Sequence, residues 1–143
     1  MRWPLSWPAA GHVAEATRTV AAPPAAVWAA VVDYDAHPRW RSGLRAAVRR
    51  GDRVEETDAR GDVLAVVIEA EEPERRLVTR VVDQTAFSGT WTLTLAPEGD
   101  GTRVTIVERG EIHSLVFRLL APLFHDPQAT ARTWLDDLAR HLE

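Results

Sequence analysis

FSGTWTLTLAPEGDGTRVTIVERGEI, Phe87 to Ile112, contains two alternating segments joined by a polar turn. On the first, Phe87, Gly89, Trp91, Leu93 and Leu95 share one side and Ser88, Thr90, Thr92 and Thr94 the other, the period-two pattern of a half-buried strand. Pro97-Glu98-Gly99-Asp100-Gly101 turns the chain back. On the return segment Val104, Ile106, Glu108, Gly110 and Ile112 fall on one side, so a carboxylate stands in line with aliphatic residues. A plain core has no use for that carboxylate; the wall of a pocket does. The hairpin therefore points to a container for a small apolar molecule without naming it.

Working outward, turn signals at Gly51-Asp52, Arg60-Gly61-Asp62 and Glu72-Pro73-Glu74 delimit further alternating segments. The expected strands are 44–50, 53–59, 63–71, 76–83, 87–96 and 102–112, an antiparallel meander because the connections are short. Before it, His12 to Val20 reads as a first strand, and Pro24 opens a short helix carrying Val27, Trp28, Val31 and Val32. Asp35 is expected to cap a second, very short helix that holds Trp40 and ends at Gly43. Asp126 and Pro127 start a last helix with Ala131, Trp134, Leu135, Leu138 and Leu142 on one stripe, which should lie across the sheet.

Composition narrows the function classes. At 143 residues the expectation is a tail over residues 1–11 and one domain over 12–143. Seventeen basic residues, all Arg, against 21 acidic ones give a net charge of -4, and no basic run follows a helix face, which argues against nucleic acid as a partner. Without cysteine there is no disulfide framework or thiolate nucleophile, and a cytoplasmic setting is expected. Pro4 and Pro8 break any apolar helix that a secretory signal would need. No Ser-His-Asp order, phosphate loop or dinucleotide fingerprint is present, and no cofactor or metal is expected.

The order strand, two small helices, six-strand meander and long final helix is that of the helix-grip fold. Val20-Ala21-Ala22-Pro23-Pro24-Ala25-Ala26-Val27-Trp28 followed by Asp33-Tyr34-Asp35-Ala36-His37-Pro38-Arg39-Trp40 resembles the opening of the START-like (SRPBCC) superfamily, in particular its polyketide cyclase/dehydrase and lipid-transport branch. Gly89-Thr90-Trp91-Thr92-Leu93, Gly99-Asp100-Gly101-Thr102-Arg103-Val104-Thr105 and Trp134-Leu135-Asp136-Asp137-Leu138 extend the resemblance over nearly the whole chain from about residue 12. It implies an α+β fold in which a curved seven-stranded antiparallel sheet wraps the C-terminal helix and leaves a cavity between. Functions in that superfamily range from lipid, sterol and quinone binding to ring cyclisation, dehydration, hormone sensing and chaperone stimulation, and fold does not choose among them.

The expected pocket-lining residues are Trp40, Val66, Ile68, Arg80, Phe87, Trp91, Leu93, Glu108, Phe117, Leu120, Phe124 and Trp134. Trp40 matches the tryptophan that the resemblance places near a pocket floor; a purely structural aromatic is the alternative, and Trp28 reads as structural. Glu108 is the main polar candidate, with Arg80, in line with Val78 and Val82, as its expected partner; the alternative is an exposed strand-end carboxylate. His113 and His125 flank the apolar run Leu115 to Phe124 and lack the spacing of a metal site. That run is either a gate whose greasy outer face touches a membrane during ligand exchange, or an inward-packed helix with Arg118 reaching out; the inward arrangement is favoured. The Arg-Gly-Asp tripeptides at Arg50 and Arg60 are turn chemistry, and the Trp3-Pro4 and Trp7-Pro8 pairs belong to the tail.

The functional expectation is binding or transport of a small hydrophobic or aromatic ligand such as a lipid, quinone or polyketide-like compound. Two alternatives stay open. One is a cyclase or dehydratase using Glu108, Arg80 and the histidines for proton transfer; the other is a protein-interaction or chaperone-cofactor module.

Overall fold

The period-two stretch of residues 44–112 and the helical stripe from Ala131 to Leu142 each carry one apolar face, and the fold buries these faces against each other. The structure, a computed structural model, describes residues 11–124 and 126–143, and the side chains of all of these except 121–124. Seven strands, β1 (Gly11–Val20), β2 (Leu44–Arg50), β3 (Arg53–Asp58), β4 (Val63–Glu72), β5 (Arg76–Val82), β6 (Phe87–Glu98) and β7 (Gly101–Ile112), form one antiparallel sheet in the order β1-β7-β6-β5-β4-β3-β2. Residues 44–112 thus form the expected meander, and β1 closes onto its last strand.

Between β1 and β2 lie α1 (Pro24–Val32), with proline in its first turn, and a 3₁₀ helix over Tyr34–Arg39. Asp35 does not cap that helix; it lies within its first turn, where its carboxylate accepts from the Arg49 amide at 3.4 Å. Trp40 follows the last helical residue. The chain ends with α2 (Leu115–Phe124) and α3 (Pro127–Leu142), and α3 starts as expected, with the Asp126 carboxylate accepting from the Ala129 amide at 3.1 Å.

Register determines what faces α3. Ile68, Thr79, Trp91, Glu108 and Ala14 pair in one row across β4, β5, β6, β7 and β1. The next concave residues in one direction, Leu77, Leu93 and Ile106, are fully buried with Leu135 and Leu138 of α3. In the other direction the strands diverge from the helix. The β4–β5 register shifts between Ile68 and Ala70, the irregularity expected of a bulge.

Buried Asp137 fixes how α3 sits. Its carboxylate accepts from the Ser42 amide at 2.7 Å and the Ser42 hydroxyl at 2.9 Å, and it also pairs with Arg140. The helix is thereby joined to the loop after Trp40. Burial without these donors would be costly for a carboxylate, so its placement depends on the loop being there.

One helix departs from expectation. In α2 it is Arg118 that turns inward, its Nε donating to the Ile112 carbonyl at 2.8 Å, while Leu115, Val116, Phe117, Leu119 and Leu120 are 42–65% exposed. The inward-packed arrangement is overturned: among the described residues the main contact of α2 with the sheet is with β7, where the Ile112 carbonyl accepts from the Arg118 guanidinium.

Candidate functional site

The cavity begins where the core ends. On β6, Leu93 and Leu95 are packed while Trp91, Gly89 and Phe87, one to three alternations earlier, face an opening of about 370 Å³ between the sheet, α3 and the base of α2. Val66, Thr79 and Val81 continue its wall along β4 and β5, and Ala131 and Trp134 contribute from α3. The Trp91 and Trp134 rings meet edge to face, with centroids 4.9 Å apart and planes at 70°, and form an aromatic floor. Phe117 of α2 also lines the cavity.

Six of the expected residues line this space: Val66, Phe87, Trp91, Glu108, Phe117 and Trp134. Five do not. Trp40 stands behind Trp134, edge to face at 5.2 Å, and stacks on His141 at 5.8 Å, so it supports the floor from outside. Ile68 and Leu93 are on the packed side of the floor. Leu120 is exposed on α2. Arg80 points to the convex face and pairs there with Glu69, because the concave positions of β5 are Leu77, Thr79 and Val81. The Phe124 side chain and His125 lie outside the described residues.

With Arg80 on the other face, the partner of Glu108 is His12, whose Nε2 is 3.3 Å from Glu108 Oε1. Both side chains are about a quarter exposed and both line the cavity. Gly110 makes room for this imidazole: it is opposite His12 in the β1–β7 register, and a Cβ there would lie 2.6 Å from the ring. His113 is 3.0 Å from the Ser88 hydroxyl, on the exposed surface and outside the cavity wall.

A second polar group stands across the sheet, at β3 and the 3₁₀ helix. Residues 34, 37 and 40 are three apart and therefore share a side of a helix with three residues per turn, which aligns Tyr34, His37 and Trp40. His37 is buried between the other two, with ring centroids 4.6 and 4.8 Å away. Its Nε2 donates to the Val31 carbonyl at 2.8 Å, since a carbonyl can only accept, and its Nδ1 accepts from Arg41 at 3.2 Å. Burial first, and the Arg41 charge second, lower its pKa to about 4, so the ring is neutral and held in one tautomer. Arg41 also pairs with Glu56, and Tyr34, Arg41 and Glu56 all line the cavity. Burial pushes the Tyr34 hydroxyl up, and nearby Glu56 pushes it further, so it stays a proton donor.

This second group was missed in the sequence. The signal was the Tyr34, His37, Trp40 spacing of three, which an α-helical reading disperses. Among the described residues no group of His, Asp and Glu is placed to hold a metal ion. None of their helices is long and apolar enough to cross a membrane.

Comparison with known proteins gives two positive findings. Residues 11–143 match the family model described as polyketide cyclase/dehydrase and lipid transport. Solved structures share the fold at low identity. A protein of Thermus thermophilus aligns with TM-score 0.74 and 22% identity over 92% of this chain and 97% of its own. A START superfamily protein of Mycobacterium smegmatis aligns with 0.71 and 17% over the same shares. A point mutant of norcoclaurine synthase from Thalictrum flavum, in complex with a transition-state analogue, aligns with 0.72 and 12% over 92% and 94%. No curated protein matches the sequence.

Proposed function

We propose that this chain, which belongs to the polyketide cyclase/dehydrase and lipid transport family, holds a small, mostly apolar molecule in the cavity between its sheet and α3. The observation that carries this reading is the change of role along one face of β6, from Leu93 sealed in the core to Trp91 facing open space. A cavity whose exposed wall is mostly aliphatic and aromatic, with its charged groups gathered at two sides, suits ligand recognition by shape and burial. Lipids, quinones and polyketide-like compounds have the required character. The exposed apolar face of α2, beside the cavity, supports uptake from a membrane surface or another apolar donor.

Native mass spectrometry of freshly purified protein, followed by denaturing extraction, tests this reading. A stoichiometric lipid, quinone or polyketide-like adduct is the expected result. Protein that is empty from every host and takes up none of these compounds overturns it.

One observation favours an enzymatic second reading. The His12–Glu108 pair presents an imidazole beside a carboxylate to an apolar space, an arrangement able to accept and return a proton during dehydration or cyclisation of a bound chain. Turnover of a hydroxyketone by the protein, lost in His12→Gln, would raise it above simple carriage. Binding without turnover leaves carriage as the function.

A further inference from the structure

The two polar groups of the cavity differ in what they offer. On the β3 side stands a donor set. The Tyr34 hydroxyl receives no hydrogen bond from, and gives none to, any described residue, and the Arg41 guanidinium uses Nη1 for both Glu56 and His37, leaving Nε and Nη2. Arg49 and Glu71, paired with each other, are the next charges acting on Tyr34. On the β7 side stands an acceptor set, the Glu108 carboxylate with His12 on one oxygen, and Glu111 nearby on the same wall.

Sheet order keeps the two sets apart. From β7 to β3 there are four strand steps through β6, β5 and β4, about 19 Å measured along the sheet at the usual strand spacing. Between them the wall is Trp91, Thr79, Val66, Val81 and Leu64, and α3 covers it with Trp134. A ligand with one polar end would satisfy one set and leave the other dry, facing hydrocarbon. Charged and hydrogen-bonding groups in that position lose water without a replacement, which weakens binding.

We infer that the cavity is built for a two-ended ligand: an apolar body with an oxygen acceptor, carbonyl or hydroxyl, at the Tyr34–Arg41 end and a donating hydroxyl at the Glu108–His12 end. This deepens the ligand-holding reading above and rests on it. A carbonyl at the first end and a hydroxyl at the second is the pattern of a partly reduced, oxygen-bearing chain or ring system. Fatty acids and other molecules with a single polar end do not have it.

The test uses linear primary alcohols from eight to fourteen carbons and the α,ω-diols of the same lengths, titrated into the protein and read by tryptophan fluorescence. In a purely apolar cavity the second hydroxyl weakens binding at every length, because it must be dehydrated. Here at least one diol is expected to bind threefold or more tighter than the matching alcohol. Tyr34→Phe removes one of the two donor groups at that end and leaves Arg41, and should cut the diol's advantage over the alcohol at least twofold. The alcohol itself should change less than twofold, since it can use the other end. Glu108→Leu should do the same from the opposite side, with its urea midpoint measured alongside to confirm that the variant is folded.

Diols weaker than alcohols at every length, or a diol advantage undiminished by Tyr34→Phe, overturns the inference while leaving the cavity a ligand site. Failure of both series to bind overturns the ligand-holding reading and this inference with it.

Discussion

Leu93 and Trp91 are successive residues on the same face of β6, yet they belong to different regimes. Around Leu93 the sheet and α3 are in contact: Leu77, Ile106, Leu135 and Leu138 surround it, and all are less than 2% exposed. Around Trp91 the two layers part, and the residues are mixed, with Thr79, Glu108, His12, Arg41 and Tyr34 among the aliphatics. The first half supplies stability, and the polar groups buried in it, Asp137 and Thr102, are hydrogen-bonded. The second contributes less to stability and carries every group capable of recognition. The molecule thus separates folding from function along the strand direction, while every strand except β2 takes part in both.

Breaking the packed half should have the largest effect. Leu93→Ala removes a fully buried side chain and should cost about 3 kcal/mol in urea unfolding. Trp91→Leu should cost less than half of that, while changing ligand affinity more than any substitution in the packed half. If the two variants lose equal stability, the division between the halves is wrong.

A pH titration sharpens the same contrast from the polar side. His37 has a folded pKa of about 4 against an unfolded value near 6.5, so between these values the unfolded chain binds more protons. Its contribution is therefore complete above about pH 6.5 and is lost as the pH falls towards 4. By about 1.4 kcal/mol per pKa unit the loss is on the order of 3 kcal/mol. His37→Gln, which still donates to the Val31 carbonyl, should flatten this part of the stability profile; an unchanged slope would assign it to the carboxylates.

Gly110→Ala is a smaller perturbation, aimed at the open half alone. The new methyl takes the place of the His12 ring, so about 1 kcal/mol of stability and the His12–Glu108 contact should be lost together, the contact followed by the His12 ring signals in NMR. Arg80→Gln should have the least effect. Its pair with Glu69 is exposed on the convex face, so stability should change by less than about 0.5 kcal/mol and affinity not at all. A change in affinity would place Arg80 at the ligand.

Much of the fold was legible because alternation and turn residues are local signals. Gly51, Gly61 and Gly99, all at positive φ, mark three of the hairpin turns, and Asp126-Pro127 marks the start of α3. The site was legible only in part. On β5 both faces are apolar, Leu77 and Val81 on one side and Val78 and Val82 on the other, so no pattern decides which side is concave, and Arg80 was assigned to the wrong one. His12 and Glu108 are 96 residues apart and meet only because β1 joins the end of the meander. The 3₁₀ helix hid a third part, since its spacing of three is not an amphipathic α-helical period.

The bond between Asp137 and Ser42 has a kinetic consequence. Because it fixes α3 to the loop after Trp40, and the same helix is half of the packed core, α3 cannot lift away without unfolding the protein. On the proposed reading, ligand exchange then passes beside α2, whose main contact with the sheet, among the described residues, is with β7. Residence time becomes a property of that ten-residue helix and its surroundings, so dissociation can be accelerated at an apolar surface without any change in the equilibrium fit of the cavity.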